Sequence, residues 1–371
     1  MAFIGIDLHT DRLTEARLSA ENEKLTISKH TYTFDRDPFQ RFLDSLHTDD
    51  YVLIENTSNA FWFHDQIRDR VKACYVYDTN ELRTNGNKTD KIDAAKLAKK
   101  LGYYITMGCE EKEFPTVYVP EETVRELRGL LTTYRFYNKM KAQMKNRIYS
   151  ILKQNGIPRK KGQVSAGPFV KWLEGAELAD IWKAQIHSLL TALKATELQQ
   201  QDVKDMIQLR GAELFGEQIE ILLSIRGFSV FTAIVLMSDI VDVDRFSNAK
   251  KFCSYLRVAP TTKSSNQTVH VGSVNRQSRS TTCSLLTQSV IHMYGIEPHI
   301  SAFHQRVKVG KSAGKVRIAV IRKVLVSAYN MLKKNETCYW INKDLYMRKL
   351  NEYHKDLARI IQQKEEEKEV A

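Results

Sequence analysis

Four acidic residues and one serine-rich segment stand where side chains could act on a phosphodiester. Asp7 lies near the end of the apolar run Phe3-Ile-Gly-Ile-Asp-Leu8, and Glu55 closes Tyr51-Val-Leu-Ile-Glu55. Asp90 and Asp93 are three residues apart at the start of an amphipathic segment, so on a helix they share one side. An acid that ends an apolar strand is poorly placed for packing and well placed for a site. Four carboxylates converging at one sheet edge repel one another unless a divalent cation neutralises them, and hard oxygen ligands suit Mg2+, with Mn2+ as the alternative. Such ions activate and stabilise the oxygens of phosphoryl transfer. Taken singly, Asp90 and Asp93 read equally well as acids serving a helix N-terminus. His9 and His64 could join the set, although a lone histidine is more often structural.

Further along, Leu223-Ser-Ile-Arg-Gly-Phe-Ser-Val-Phe-Thr-Ala233 has the form of helix, tight glycine turn and helix. Such a turn can offer backbone amides to a phosphate, while a plain helical hairpin is the competing reading. Ala259-Pro-Thr-Thr-Lys-Ser-Ser-Asn266 reads as a polar loop whose serine hydroxyls could meet a phosphodiester, without the G-x-S-x-G elbow of a hydrolase. Lys308-Val-Gly-Lys-Ser-Ala-Gly-Lys-Val-Arg317 lacks the spacing of a phosphate loop and reads as a basic turn leading into a helix over 316–332.

The elements that must position these residues follow from periodicity. Short apolar runs predict strands over 3–8, 12–18, 24–28, 30–34, 51–55 and 73–77, with helices over 38–46, 60–71 and 91–101 between or after them. This alternation implies a mixed sheet covered by helices, a class in which ligands gather at strand C-terminal ends. Helical spacing of apolar residues then predicts a long helix over 121–155, flanked by Arg125, Arg128, Arg135, Lys139, Lys145 and Arg147. After a loop, a second long helix over about 181–209 pairs with it, as a two-helix bundle or an extended coiled-coil arm. Beyond Ile219 comes a largely helical unit interrupted at Thr261–Gln267, and the chain ends in a charged helix with a frayed tail over 364–369.

Charge is distributed unevenly. Residues 1–110 hold 15 Lys/Arg and 18 Asp/Glu, residues 121–170 hold 11 and 3, and residues 245–325 hold 14 and 1. Two basic segments beside a mildly acidic one point to a polyanionic partner, because cations that neutralise phosphates release counterions. A solvated, solubilising face is the plainer alternative. The 371 residues, 43% hydrophobic and 27% charged, fit a soluble multidomain protein, with no apolar run long enough for a membrane span and no signal-peptide pattern. A cytoplasmic location is expected. The five cysteines, Cys74, Cys109, Cys253, Cys283 and Cys338, are scattered and odd in number, which predicts buried thiols rather than disulfides or a zinc site.

Together these positions resemble the DEDD transposases of the insertion-sequence 110 family, which includes the Piv DNA invertases. Gly5-Ile-Asp7 is similar to the family's first acidic strand, Ile54-Glu-Asn-Thr57 to its second acid, and Lys88-Thr-Asp-Lys-Ile-Asp-Ala-Ala-Lys-Leu-Ala98 to its closing acid pair. Leu223–Ala233, Arg245-Phe-Ser-Asn-Ala-Lys-Lys-Phe252 through Pro260, and Gly314-Lys-Val-Arg-Ile-Ala-Val-Ile-Arg-Lys323 are similar to its transposase domain. The resemblance implies an α/β RuvC-like, ribonuclease-H-like domain over 1–115, a helical coiled-coil-like linker over 116–210, a mainly α-helical transposase domain over 211–340 and a charged C-terminal helix over 341–371. It implies that Asp7, Glu55, Asp90 and Asp93 bind Mg2+ and that Ser265, with Ser264 adjacent to it, is the nucleophile of DNA strand exchange. It further implies donor and target DNA, a structured non-coding bridge RNA as guide, and a homo-oligomer from dimer to tetramer. The sequence departs from the family pattern at Ser229, at Asn266 and Gln267 after the serine, and at Gln277-Ser278. A RuvC-like nuclease or Holliday-junction resolvase that uses water as nucleophile is the alternative activity.

Overall fold

The computed structural model describes the chain except for residues 22–23, 79–89, 109–113, 159–163, 165–166, 259, 266–267, 275–279 and 371. It divides into two compact units, Met1–Pro120 and Glu121–Ala371.

In the first unit, strands β1 (Phe3–Leu8), β2 (Arg12–Glu21), β3 (Lys24–Thr33), β4 (Tyr51–Glu55) and β5 (Ala73–Tyr77) form one sheet in the order β3-β2-β1-β4-β5. The first three pair antiparallel, and β1, β4 and β5 pair parallel. The stretch expected as two strands over 24–34 is a single strand, because it runs in unbroken register against β2 from Arg12↔Thr33 to Glu21↔Lys24. Successive residues of a strand face opposite sides. Ile4, Ile6, Val52, Ile54 and Val76 accordingly enter a core with α1 (Arg36–Asp44) and α2 (Ala60–Ile67), built on Phe42, Leu43, Phe63 and Ile67. Phe3, Ala16, Leu18, Leu53 and Tyr77 enter the opposite core under α3 (Asp90–Met107), with Ala94, Leu97, Ala98 and Leu101.

Gly5 decides how closely α3 approaches. A Cβ there would lie 2.2 Å from the Ala94 carbonyl oxygen and 2.3 Å from the Ala98 nitrogen, so the helix backbone rests directly on the strand. Gly102 of the same helix lies against Phe3 and Leu18. The helix therefore runs opposite to β1 and brings its N-terminus toward the C-terminal ends of the parallel strands.

The second unit is almost wholly helical. Its helices are α4 (Glu122–Gln154), α5 (Gly167–Glu174), α6 (Asp180–Leu223), α7 (Val230–Ile240), α8 (Ala249–Tyr255), α9 (Ser280–Met293), α10 (Pro298–Lys308), α11 (Ala313–Lys334) and α12 (Lys343–Val370). One antiparallel ribbon, β6 (Pro260–Ser265) with β7 (Thr268–Val274), interrupts them. Helices α4 and α6 pair antiparallel within the chain, with Arg210 meeting Glu126, Gln200 donating to the Tyr134 carbonyl at 3.1 Å, and Lys145 at 3.5 Å from Glu197. Their outer ends enclose a small core with α5, formed by Ile148, Leu152, Phe169, Leu173, Ile186 and Leu190. Their other ends join the main core, in which α7 and α11 are the most buried elements.

Several expectations change. Helix α6 continues past 209 to Leu223 through one non-helical residue, Phe215, and Gly211 does not end it, because that glycine admits Ile234 of α7. The apolar set of Phe169, Val170, Trp172 and Leu173 forms α5 inside a stretch expected as loop. Of the stretch expected as loop, Thr261 to Ser265 is strand, as suits β-branched threonines whose backbone pairs with a valine-rich strand, and Asn266 and Gln267 lie outside the described residues. Residues 364–369 remain helical within α12. Among the described cysteines only Cys253 is fully buried, while Cys74, Cys283 and Cys338 are half-buried free thiols, and Cys109 lies outside the described residues.

Gly5→Ala is expected to cost ~3 kcal/mol, the upper end of ordinary overpacking, because its Cβ meets helix backbone rather than a movable side chain. Gly129→Ala, at an exposed α4 position with nothing near its Cβ, is expected to stabilise by ~0.5–1 kcal/mol. Urea unfolding midpoints of the two variants check both signs.

Candidate functional site

Three of the four predicted acids are described, and the fold brings their backbone positions toward one corner of the first unit. Ile6 pairs with Ile54 in the parallel register, so Asp7 and Glu55 occupy the next position of adjacent strands, on the side of the sheet that α3 covers. Asp93 immediately precedes Ala94, whose carbonyl meets Gly5, and lies on the same helical stripe as Leu97 and Leu101. Asp90 begins α3 one turn earlier, and its side chain lies outside the described residues. Asn59 ties the two strand ends together: its side-chain amide donates to the His9 carbonyl at 2.8 Å and its oxygen accepts from Thr57 Oγ1 at 2.9 Å.

The carboxylates differ in their surroundings. Asp7 is buried, and its Oδ2 lies 3.4 Å from His9 Nε2. Asp93 is half-exposed and accepts from Lys96 Nζ at 3.1 Å. His64 pairs with its neighbour Asp65 at 3.4 Å. The donor set of carboxylate oxygens fits a hard cation such as Mg2+. Among the described residues, no three His, Cys, Asp or Glu side chains gather closely enough to hold a metal ion.

Sequence reading missed the acid that is most buried among the described residues of this unit. Glu15 is 1% exposed and pairs with Arg17 at 3.0 Å. It sits opposite Ile6 in the β1–β2 register, on the other face of the sheet from Asp7. Arg17 also donates to the Ser45 carbonyl at 2.7 Å, at the end of α1, so this pair fastens a helix rather than extending the acidic corner.

In the second unit the glycine-turn hairpin joins α6 to α7. Gly227 has φ +85°, a left-handed conformation, and a Cβ there would meet the Ser289 carbonyl at 2.8 Å. Ser229 caps α7 by accepting from the Thr232 amide at 3.1 Å. Lys349 of α12 donates to the carbonyls of Leu223 and Ile225 at 2.9 and 3.0 Å and so closes the C-terminus of α6. Burial, followed by the charges of Arg226 and Arg348, lowers the Lys349 pKa to about 8.

Ser265 is the last residue of β6, paired with Thr268 across the ribbon's connection, and Ser264 pairs with Val269. The side chains of both serines, and residues Asn266, Gln267, Gln277 and Ser278, lie outside the described residues. The same register sets His270 opposite Lys263, a basic pair that only strand pairing makes visible.

Not all of the basic excess faces solvent. Arg128 donates to the Ser238 carbonyl at 2.8 Å, Arg245 to the Ile240 carbonyl at 2.7 Å, and Arg257 is buried. Arg306, Lys308, Lys311, Lys315 and Arg317 are exposed around the turn from α10 into α11, where the sequence predicted a basic turn. Among the described residues no helix is long and apolar enough to cross a membrane.

Residues 219–305 match the family model described as Transposase IS116/IS110/IS902 family. The matched segment runs from the end of α6 through the hairpin, α7, α8, the β6–β7 ribbon and α9 into α10. It supports a transposase of this family, an enzyme class that cleaves and rejoins DNA. No curated protein matches the chain significantly.

The Lys349 shift has a defined pH consequence. The folded chain loses this proton near pH 8, whereas an unfolded lysine holds it to about 10.5, so unfolding takes up a proton between those values and stability rises with pH there. Lys349→Met is expected to lack that increment, which denaturant melts below pH 8 and above pH 10.5, compared with wild type, would reveal.

Proposed function

We propose that the chain is a DNA transposase or recombinase in which Ser265 is the nucleophile and Asp7, Glu55, Asp90 and Asp93 form a Mg2+-binding site in a RuvC-like domain. The observation that carries the reading is the match of residues 219–305 to the transposase family, within which Ser265 falls. The direction of α3 supports the acidic site, since it turns the helix N-terminus toward the strand ends that carry Asp7 and Glu55.

In this reading the Ser265 hydroxyl oxygen forms a bond to phosphorus as the bond from phosphorus to one DNA end breaks, and that end leaves with the serine proton as a free hydroxyl. The protein–DNA phosphodiester keeps the energy of the broken bond. Attack by a hydroxyl of the incoming DNA end reverses the step, rejoins the DNA and returns the proton to serine. Mg2+ held by the four acids would neutralise phosphate charge during the exchange. His9 Nε2 lies 3.4 Å from the Asp7 carboxylate, beside this site. The exposed cations between α10 and α11 bind the DNA backbone without reading its sequence. Donor and target DNA, a structured bridge RNA and further copies of the chain are the partners of this reading, and division into 1–115, 116–210, 211–340 and 341–371 is its domain plan.

A denaturing gel of the full chain with Mg2+, element-flanking DNA and the RNA encoded beside the gene tests it. Wild type is expected to form a covalent protein–DNA adduct, absent in Ser265→Ala and reduced at least about a hundredfold in Asp7→Asn, given the several kcal/mol a metal site supplies. An adduct retained by Ser265→Ala but lost by Ser264→Ala would move the nucleophile by one position. Cleavage without any adduct would assign the attack to water.

A further inference from the structure

A second candidate binding place lies outside both the acidic corner and the serine ribbon. The hairpin turn, the start of α10, the middle of α11 and the segment before α12 enclose a cavity of about 100 Å3. Its apolar wall includes Ile300 and Val324, and Arg226, Lys323, Glu297 and Trp340 also line it.

Two features here are unexplained by packing. Trp340 is 60% exposed and its neighbour Tyr339 is 86% exposed, which leaves two large aromatic rings largely in water. Trp340 is held in place by stacking on His299, with ring centroids 5.2 Å apart at 25°, and Tyr339 meets it edge-on at 5.0 Å. The second feature is Glu297, the one acid among residues 245–325, which is only 8% exposed. It occupies the N-cap position of α10, yet its side chain makes no capping hydrogen bond. It accepts a hydrogen bond from Arg226 Nη1 at 3.4 Å and lies 3.8 Å from His299, and a carboxylate with these two partners has lone pairs left for a further donor in the cavity it lines.

A planar ring able to stack, a buried acceptor beside it and two flanking cations are the complement of a nucleotide. We infer that the mouth of this cavity, which is too small to enclose a whole nucleotide, receives the base edge of one unpaired nucleotide: the base stacks on the largely exposed Trp340 and directs an amino or ring N–H toward Glu297, and its phosphate meets Lys323 and Arg226. A base inside a duplex is closed to this arrangement, because stacking and pairing already occupy its faces and its edge. The site thus selects a single-stranded or splayed-out position, in DNA or RNA. The inference rests on the proposed nucleic-acid role of the chain and adds to it a place where strand opening is sensed.

The test measures affinities of the full chain for a short single-stranded oligodeoxynucleotide carrying one 2-aminopurine, its ribonucleotide counterpart, and the DNA duplex of the same sequence. Trp340→Ala is expected to weaken single-strand binding roughly ten- to hundredfold, the usual range for losing one base–aromatic stack, and to leave duplex affinity within about threefold. Trp340→Phe, which keeps a ring, is expected to recover most of the loss and the change in 2-aminopurine fluorescence. Since Trp340 is largely exposed, unchanged circular dichroism is expected for both variants. A preference for the deoxy or the ribo strand identifies the source of the nucleotide. Equal weakening of single strand and duplex, or no weakening at all, overturns the inference while leaving the transposase reading intact. So does a Trp340→Ala variant that changes only the oligomeric state, which would assign the aromatic pair to a second copy of the chain. Failure of the wild type to bind any of the three probes defeats the transposase reading and the inference together.

Discussion

The close approach of α3 to β1 at Gly5 governs what the first unit can do. Only a residue without Cβ lets the helix backbone settle on the strand, and that contact sets the height, direction and face of the helix at once. Running opposite to β1, α3 presents its positive N-terminal end where Asp7 and Glu55 finish their strands. The helix dipole favours acids at that end even without a cation. The Asn59 bridge to the His9 carbonyl then keeps the two strand-end loops from parting. Position on the sheet and electrostatic tolerance for carboxylates thus come from the same packing event.

In the second unit, cations serve two separate ends. Arg128 and Arg245 donate to carbonyls at the end of α7, and Lys349 does so at the end of α6. Helix C-termini leave carbonyls without intrahelical donors and carry partial negative charge, so these side chains fasten the hairpin and its neighbours. The Lys349 pKa is depressed because its own ammonium is buried and because Arg226 and Arg348 stand near it. The cations from Arg306 to Arg317 are not committed in this way and face solvent. A net charge counted along a sequence merges the two classes, although only the second is open to a polyanion.

Periodicity made most of the first unit legible. Alternating apolar residues located its strands, and the strand-end acids stood out because Asp7 and Glu55 are the wrong residue types to finish an apolar run. What periodicity could not supply was depth. Glu15 reads like any polar residue of an alternating strand, yet pairing with β1 and β3 leaves it 1% exposed beside Arg17. The ribbon carrying Ser265 read as loop because serine, threonine and asparagine are turn formers, and only cross-strand pairing with Val269 and Val271 reveals it. Helix α6 runs past the end expected near 209, and Gly211 within it acts as a notch for Ile234, a packing role that only the tertiary structure shows. The pocket under Trp340 was beyond reach of any local pattern, since its walls come from four stretches distant in sequence.

The pairing of α4 with α6 has a thermodynamic consequence. Each of these helices gives one end to the small core with α5 and the other to the main core. The small core holds far fewer buried apolar side chains than the main core and is stabilised in proportion to the smaller apolar area it removes from water. Opening the tip of the hairpin forfeits that small area alone, whereas separating Val124 and Leu127 from Ile207 and Ile219 disrupts the main core. Stability is therefore graded along α4 and α6, and the outer end behaves as a subglobal unit that opens and closes at lower free energy than the remainder. A long helix here is not a uniformly rigid rod. It couples a locally labile tip to a cooperative interior.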